Sequence, residues 1–466
     1  MNLNYAWNRQ RFAEPNLPDV ESEENAKTVI SRLRFVAQFV FIGFAASIAF
    51  HYGQGHIMHR GYPWNTYLFD PADRFNDWYN PVASARMGDP YFKNHVAISN
   101  YFPFAYLALS IVSCKSHGAS LLIYMTLCAA LFPTGVYVLW NKTVKPQIRD
   151  RSRRWQAALL LAASLGFSYP LQFAIDRGNT DVLIAAFCLL YVALLRTRYA
   201  SLGSVALAVG IASKGYPAAF CLLALADRRF KQAALPLLIA AALTVVGLLG
   251  LAGGLQHNIV GLNTAVTLWH NLYVVGHLGM SHSSDPYHAL QYAAERWRLL
   301  RIDILLGLYH IFSFEFACVC AFFALFVSPR RWQQVTAVCL AAIIFPDLIA
   351  DYKLLALLPG LLFIVADREA GSRGRIALFC YAALLIPKQY LFDDNGMSIG
   401  IALNAMLLIL LAATVLVDPE AWSTASRLAP ARLAWYLAVL PFGLEICRRL
   451  PLTEIQRKQS HEMAAL

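Results

Sequence analysis

Long apolar runs separated by short polar segments make up most of the chain. The runs are 34–51, 101–113, 119–140, 157–175, 180–195, 201–226, 233–252, 304–327, 333–350, 352–366, 376–392, 397–417 and 432–446. A run of roughly 18 or more apolar residues with few charges is long enough to form a membrane-spanning helix. The pattern predicts an all-α polytopic membrane protein with about 11–13 transmembrane helices.

Two long polar stretches, 52–100 and 253–303, interrupt this series. Both are rich in aromatic residues and histidine, which is typical of structured loops at a membrane surface. We therefore expect a polar N-terminal segment over 1–33, a membrane core over 34–366 that contains these two loops, and additional C-terminal helices with a tail over 367–466.

The composition agrees with a membrane protein. Of 466 residues, 58% are hydrophobic and 14% are charged, whereas soluble domains carry about 25% charged residues. The net charge is +11, but the basic residues cluster in short segments between apolar runs, as in 149–154. Such clusters are a topology signal and do not indicate nucleic-acid binding.

The basic clusters also predict an orientation. Segments 1–34, 141–155, 196–198, 228–231, 330–331 and 368–375 carry them and are expected in the cytoplasm. The run 201–226 then begins and ends on the same side. Its middle reads Lys214-Gly215-Tyr216-Pro217, and glycine with proline breaks a helix. We therefore expect two short helices that meet at Lys214.

With that orientation, several unusual polar segments fall on the external side. They are the loop 52–100, the segment 176–181, the break at Lys214, the loop 253–303 and the segment 347–353. The orientation rests on the cytoplasmic basic clusters alone, so the polar segments on the external side are independent of it. This convergence predicts an active site on the external face of the membrane.

Each candidate residue has a functional and a structural interpretation. Asp73 and Asp77 are either a general base among aromatic residues or ordinary turn residues. Arg177 either binds a phosphate or pairs with Asp176 near a helix start. Lys214 is either functional within the membrane or extends to the interface.

Two further segments also have both a functional and a structural interpretation. Lys353 either reaches a phosphate or forms a salt bridge with Asp351. The loop 253–303 contains five histidines, at positions 257, 270, 277, 282 and 288, without the HxxxH or HExxH spacing of a zinc site. Contact with a head group or a substrate is the interpretation we prefer for them.

Several motifs in order resemble family 87 of the GT-C membrane glycosyltransferases, which are polyprenyl-phosphate-mannose-dependent mannosyltransferase-like proteins. The likeness runs from about residue 30 to 366. The motifs are Asp77-Trp78-Tyr79, Gly88-Asp89-Pro90-Tyr91, Tyr101-Phe102-Pro103, Asp176-Arg177-Gly178-Asn179, Lys214-Gly215-Tyr216-Pro217 and Asp351-Tyr352-Lys353-Leu354. In many relatives the third motif is Tyr-Pro-Pro, so Phe102 is a departure from the family pattern.

The resemblance implies a GT-C-like helical bundle with a catalytic aspartate in a structured first external loop. It further implies inverting transfer of a mannose-like hexose or a pentose from a polyprenyl-phosphate donor to a lipid or glycan acceptor. Asp77 matches the catalytic position, with Asp73 in reserve. The expected substrate-binding residues are Arg177, Asn179, Lys214, Tyr216, His282, Asp351 and Lys353.

A lipid phosphate leaving group is charged and needs cations near it. No cofactor, metal or nucleoside diphosphate is needed for such a reaction, and we expect membrane lipids as partners but no nucleic acid. The expected location is a bacterial inner membrane, with the active site facing the periplasm. Two alternatives stay open from the residues alone, an oligosaccharide polymerase or ligase and a lipid-linked sugar transporter.

Overall fold

The computed structural model describes residues 19–92, 101–113, 115–276, 278–297, 301–328, 330–345, 348–390, 392 and 397–425. The predicted run 432–446, His277 and Asp347 lie outside these described residues. Within the described part the fold is helical, with two isolated β-bridges, Ser283 to Ala350 and Phe392 to Ser398. This confirms the all-α prediction.

The helices vary widely in length. In chain order they are α1 Asp19–Tyr52, α2 Asn76–Arg86, α3 Pro103–Ser113, α4 His117–Thr143, α5 Arg151–Gly166, α6 Tyr169–Arg177, α7 Asp181–Leu194, α8 Ala200–Ser213, α9 Cys221–Ala226, α10 Phe230–Gly250, α11 Gly254–Trp269, α12 Pro286–Trp297, α13 Ile302–Phe322, α14 Arg331–Ile344, α15 Leu358–Ala366, α16 Gly371–Leu384 and α17 Gly400–Leu416. Short 3-10 helices at Tyr216–Phe220, Met280–His282 and Asp351–Leu357 connect several of them.

Long apolar helices support a polytopic membrane protein. Among the described residues, five segments are long and apolar enough to cross a membrane, namely Glu23–Ile57, His117–Gln147, Phe230–Gly250, Gly307–Val327 and Gly400–Ala425. Helices α5 and α6 would add a sixth span, bent by 52°. Helices α3, α7 and α8 are apolar but shorter. The total of about 11–13 spans stays a prediction.

The centre of the bundle is built around α7. Its side chains are buried on nearly every face, as expected for a helix that is apolar all round. Gly135 lets α4 approach α7 closely, since a Cβ there would lie 2.9 Å from the carbonyl oxygen of Ala186. Helix α14 is buried in the same way. These helices provide a rigid frame whose ends hold the polar groups.

Segments with basic clusters gather at one end of this frame. Arg153 donates to Glu23 at 3.3 Å, and Arg368 donates to Gln147 at 3.1 Å. Helix α4 extends from there to His117, and α7 extends from the basic segment near Leu194 to Asp181. The polar residues predicted for the site therefore lie at the other end of the same helices.

The break at Lys214 is present. Helix α8 ends at Ser213, Lys214 has extended backbone angles, and a 3-10 turn over Tyr216–Phe220 leads into α9. Proline at the second position of that turn lacks an N–H group, which suits a helix start. The chain thus returns toward the basic end, as the pattern predicted.

Candidate active site

Asp77 lies in the first turn of α2, where the helix dipole favours a negative charge. The residue before this helix, Phe75, has a left-handed backbone with φ 61°. Its N–H donates to the carbonyl oxygen of Asp176 at 2.8 Å. This bond fixes the start of α2 against the end of α6, so the first loop and the acidic-Arg-Gly-Asn motif lie together.

Both oxygens of Asp77 accept side-chain hydrogen bonds from that motif. Arg177 Nη2 donates to Oδ1 at 2.5 Å, and Asn179 Nδ2 donates to Oδ2 at 2.7 Å. Arg177 Nη1 also donates to the carbonyl oxygen of Asp73 at 3.1 Å, and its guanidinium lies over the Phe69 ring. The carboxylate of Asp77 is therefore held in one orientation.

Gly178 makes this arrangement possible. It ends α6 with φ 69°, a left-handed conformation that glycine adopts without steric cost. A Cβ at this position would lie 2.8 Å from the Cβ of Trp78. The glycine therefore allows the turn to pack on α2 while Arg177 and Asn179 both reach Asp77.

Lys214 belongs to the same network. Its Nζ donates to Asp181 Oδ2 at 2.8 Å and to Asn179 Oδ1 at 3.1 Å. Tyr216 donates to the other oxygen of Asp181 at 2.7 Å. Asn179 therefore bridges two ion pairs, Asp77 with Arg177 and Asp181 with Lys214.

A cavity of about 1020 Å³ opens beside this network. The polar residues along it that the sequence predicted are Asp73, Asp77, Arg177, Asn179, Lys214, Tyr216, His282 and Lys353. Apolar residues from other helices, including Leu222, Trp269 and Ala341, form much of the remaining wall. The cavity therefore combines one polar corner with a broad apolar surface.

His282 lies at this cavity between aromatic rings. It stacks on Phe173, with centroids 5.0 Å apart, and its ring nitrogens contact the hydroxyl groups of Tyr62 and Tyr169. Burial, together with the nearby positive charge of Arg177, lowers the pKa of His282 to about 3. The imidazole is therefore neutral at ordinary pH.

The motif at 351–354 has one charged residue at the cavity and one in the protein interior. Lys353 lines the cavity, where its Nζ donates to the carbonyl oxygen of Leu348 and lies over the Tyr216 ring. Asp351 is 1% exposed, and among the described residues it is not part of the cavity wall. It accepts hydrogen bonds from Tyr169 and Ser284, so the structure places it behind the wall.

The structural interpretation paired Arg177 with Asp176, and the structure shows different partners for both. Arg177 pairs with Asp77, while Asp176 accepts from Arg74 at 2.9 Å. Sequence reasoning missed the role of Asp181 as the partner of Lys214. The available signal was a carboxylate at the start of a fully apolar helix, because such a group needs a buried partner.

Two of the other loop histidines have acidic partners. His257 lies 3.1 Å from Asp89, and His288 lies 2.8 Å from Asp285. Among the described residues, no group of three or more His, Cys, Asp or Glu side chains is placed as a set of metal ligands. The contact of His257 with Asp89 connects the two long loops, the contact of His288 with Asp285 is local to one segment, and His282 faces the cavity.

Comparison with known proteins gives one family. The model of glycosyltransferase family 87 matches residues 100–350, a range that contains Arg177, Asn179, Lys214, Tyr216 and His282 but begins after Asp77. No curated protein and no solved structure matches the chain. Because the matched range is more than half of the sequence, the chain belongs to glycosyltransferase family 87 and is a GT-C-type membrane glycosyltransferase.

Proposed function

We propose that the protein transfers a sugar from a polyprenyl-phosphate donor to a hydroxyl group of a lipid or glycan acceptor, with inversion at the sugar carbon. The sugar is a mannose-like hexose or a pentose. One observation carries this proposal. A carboxylate, Asp77, shares one cavity with three cationic side chains, Arg177, Lys214 and Lys353, and with a broad apolar wall.

The size and lining of the cavity suit a lipid-linked sugar. Pockets for small ligands occupy about 300–1,000 Å³, and the volume of about 1020 Å³ lies just above that range. Ala218, Leu222 and Val266 belong to its apolar wall. Such a wall can take the first isoprene units of the donor, while the polar corner takes the sugar and phosphate.

Asp77 is the proposed general base. An acceptor hydroxyl is a weak nucleophile, and a positioned carboxylate accelerates its attack by taking the proton. The acceptor oxygen forms a bond to the anomeric carbon as the bond from that carbon to the phosphate oxygen breaks. The hydroxyl proton goes to Asp77 and the electron pair goes to the phosphate. Attack opposite the leaving group inverts the anomeric configuration.

The cations stabilise the leaving phosphate in this proposal. Arg177 and Lys214 are each fixed by a carboxylate and by Asn179 or a backbone oxygen, so they are oriented before the substrate binds. Preorganised donors are most effective where charge develops in the transition state. Lys353 adds a third cation at the same cavity.

Asp73 is the reserve candidate for the base. It also lines the cavity, and its Oδ1 accepts from Asn76 at 2.7 Å. Asp77 is preferred because two side chains orient both of its oxygens, whereas the contact of Asp73 is local to the first loop. Asp70 in the same loop caps a short turn through Ala72 and serves as a control position.

The site is proposed to face the periplasm of a bacterial inner membrane. The support is the separation of charge along the bundle, with the basic clusters at one end of α4 and α7 and the cavity residues at the other. Basic segments are retained on the cytoplasmic side. Labelling of single cysteines placed in 52–92 and 278–297 in intact cells tests this, and labelling only after the inner membrane is permeabilised would contradict it.

The donor class is tested with purified protein in lipid bilayers. Polyprenyl-phosphate-mannose is offered in one reaction and a nucleoside-diphosphate mannose in another, with a lipid extract as the source of acceptors. We expect transfer from the lipid-linked donor alone, and a product linkage inverted relative to the donor. Transfer from the nucleotide donor alone, or retention of configuration, would overturn the proposal.

A further inference from the structure

A second polar cluster extends from the cavity wall into the protein interior. It consists of Tyr169, His282 and Asp351 from three separate segments. The Tyr169 hydroxyl lies 3.0 Å from Asp351 Oδ2 and 3.3 Å from His282 Nδ1. Tyr169 is 1% exposed and sits between the other two side chains. The cluster therefore connects a buried carboxylate to an imidazole that faces the cavity.

The surroundings of Asp351 contain hydrogen-bond donors. Tyr169 and Ser284 donate hydroxyl protons to its two oxygens, and Asn404 of α17 donates to Oδ1 at 3.4 Å. A carboxylate that receives only donors is matched to its ionised form, which can only accept. Asp351 therefore acts as a fixed acceptor within the protein.

This acceptor determines the direction of the next hydrogen bond. A tyrosine hydroxyl carries one proton, and Tyr169 gives that proton to Asp351. The Tyr169 oxygen can then only accept from His282, so Nδ1 of His282 carries the ring proton. A neutral imidazole has one N–H group, which leaves Nε2 with a free lone pair.

The contact made by Nε2 of His282 agrees with a proton on Nδ1. Nε2 of His282 lies 3.1 Å from the hydroxyl of Tyr62, which belongs to the first loop. With Nε2 unprotonated, Tyr62 is the donor of this bond. Stacking on Phe173 and contact with Phe69 hold the plane of the ring. All contacts of the imidazole are thus satisfied by a single tautomer.

We infer that Tyr169 and Asp351 are positioning residues that hold His282 in the Nδ1–H tautomer, so that Nε2 accepts a hydrogen bond from a hydroxyl group of the bound sugar. Tyr62 supplies the hydroxyl in this structure, and the sugar replaces it. The second half of this inference rests on the proposed function, whereas the tautomer does not. It also gives Asp351 a role that needs no contact with the substrate.

The tautomer is tested by NMR on the full chain in lipid bilayers with ¹³C- and ¹⁵N-labelled histidine. The signals of His282 are assigned by their loss in His282→Gln. We expect Nδ1–H in the unaltered protein. In Tyr169→Phe, Nδ1 loses its acceptor, and the Nε2–H form should appear. Tyr62→Phe also removes one hydroxyl from the ring but should keep Nδ1–H.

Asp351→Asn provides a second variant with little change in volume. Its amide can donate to the Tyr169 oxygen, so the Tyr169 proton turns toward His282 and the tautomer should reverse. An Nε2–H signal in the unaltered protein would overturn the inference, as would an unchanged tautomer in both Tyr169→Phe and Asp351→Asn. Neither result depends on transfer activity, so each is distinguishable from failure of the proposed function.

Kinetics test the link to the sugar. One hydrogen bond contributes about 0.5–1.5 kcal/mol, so we expect Tyr169→Phe to raise the KM for the donor up to about tenfold. We expect kcat to change less. A reversed tautomer with an unchanged KM would overturn the proposed contact between Nε2 and the sugar.

Discussion

Two clusters of ion pairs lie at opposite ends of the helical bundle. At the basic end, Asp227 pairs with Arg196 and with Arg331. Burial acts to raise the pKa of Asp227, but Arg331, Arg196 and Arg229 outweigh it and hold that pKa below its ordinary value. At the other end, Asp181 pairs with Lys214 in a comparably buried setting. In both clusters a buried carboxylate pairs with a largely buried cation, which is Arg331 in one and Lys214 in the other.

The surroundings of the two clusters differ. The cluster around Asp227 lies beside Arg228, whose backbone is also left-handed with φ 57°, and Arg196 is bonded to both carboxylate oxygens. None of the side chains Asp227, Arg196 and Arg331 lines the cavity. The cluster around Lys214 lies at a helix break beside the left-handed turn at Gly178, and it opens on a cavity of about 1020 Å³. Irregular backbone occurs in both clusters, so a buried ion pair indicates function here only when it lines a space that a substrate can enter.

The largest effect on the transfer rate is expected when one carboxylate at each end of the bundle is neutralised. Asp77→Asn should lower kcat by about 10²–10⁴-fold, because it removes the proposed proton acceptor. Asp227→Asn should leave the transfer rate of the folded protein nearly unchanged but reduce the free energy of unfolding by about 3–5 kcal/mol, because a buried arginine loses its partner. Transfer rates and unfolding of the purified variants check both.

Asp73→Asn and Asp70→Asn are the matched controls, since all three aspartates belong to one loop. Normal transfer in Asp77→Asn with an inactive Asp73→Asn would move the base to Asp73. Normal transfer in both would contradict the mechanism. Asp70→Asn should retain transfer because asparagine can cap the same turn.

A second test asks whether Lys214 is more than the partner of Asp181. Lys214→Met leaves Asp181 buried without its cation and should cost about 3–5 kcal/mol of stability. Adding Asp181→Asn should recover part of that loss. Transfer by the double variant should stay at least about tenfold below normal, because the phosphate still lacks this cation.

Thermal unfolding and transfer are measured on the two single variants and the double variant. Recovery of both properties in the double variant would make Lys214 a structural residue only. The pair Arg196 and Asp227 offers the comparison, because its removal should affect stability alone.

A smaller effect is expected for Gly178→Ala. The left-handed backbone disfavours alanine by about 1–2 kcal/mol, and the new methyl group would lie 2.8 Å from the Cβ of Trp78. The shift should displace Arg177 and Asn179 from Asp77 and lower kcat/KM by about tenfold. Gly118→Ala, where a Cβ meets no atom within 4 Å, is the control and should behave normally.

The last prediction concerns the pH dependence of stability. His282 is neutral in the folded protein because burial and Arg177 lower its pKa to about 3, whereas in the unfolded chain it protonates near its ordinary value of about 6.5. Its stabilising contribution is present above about pH 6.5 and is lost as the pH falls from there toward 3, by about 1.4 kcal/mol per pH unit.

His282→Gln removes that titration. Unfolding measured between pH 7 and 5 should therefore depend less steeply on pH in the variant than in the unaltered protein. Equal slopes in the two proteins would show that His282 is not held neutral by the fold.

Several features followed from the sequence because they depend on local patterns. The apolar runs predicted helices, and Lys214 with Gly215 and Pro217 predicted the break that ends α8 at Ser213. The basic clusters predicted which helix ends lie together. Each of these signals is contained in a few neighbouring residues, so no knowledge of the packing was needed.

Other features depend on contacts between distant segments. Asn179 bridges two ion pairs because α2, α6 and the break at Lys214 converge on it. Asp351 belongs to a motif that suggested substrate binding, yet it faces Tyr169 and Ser284, while Lys353 of the same motif lines the cavity. On a 3-10 turn, residues two apart point in different directions. The side that faces the cavity is therefore decided by packing and not by the motif.

The most direct test of the central claim is an experimental structure of the protein with a bound polyprenyl phosphate. The account predicts that the phosphate lies within hydrogen-bond distance of at least two of Arg177, Lys214 and Lys353, on the same side of the cavity as Asp77. A phosphate bound elsewhere, or in contact with none of these three side chains, would contradict it.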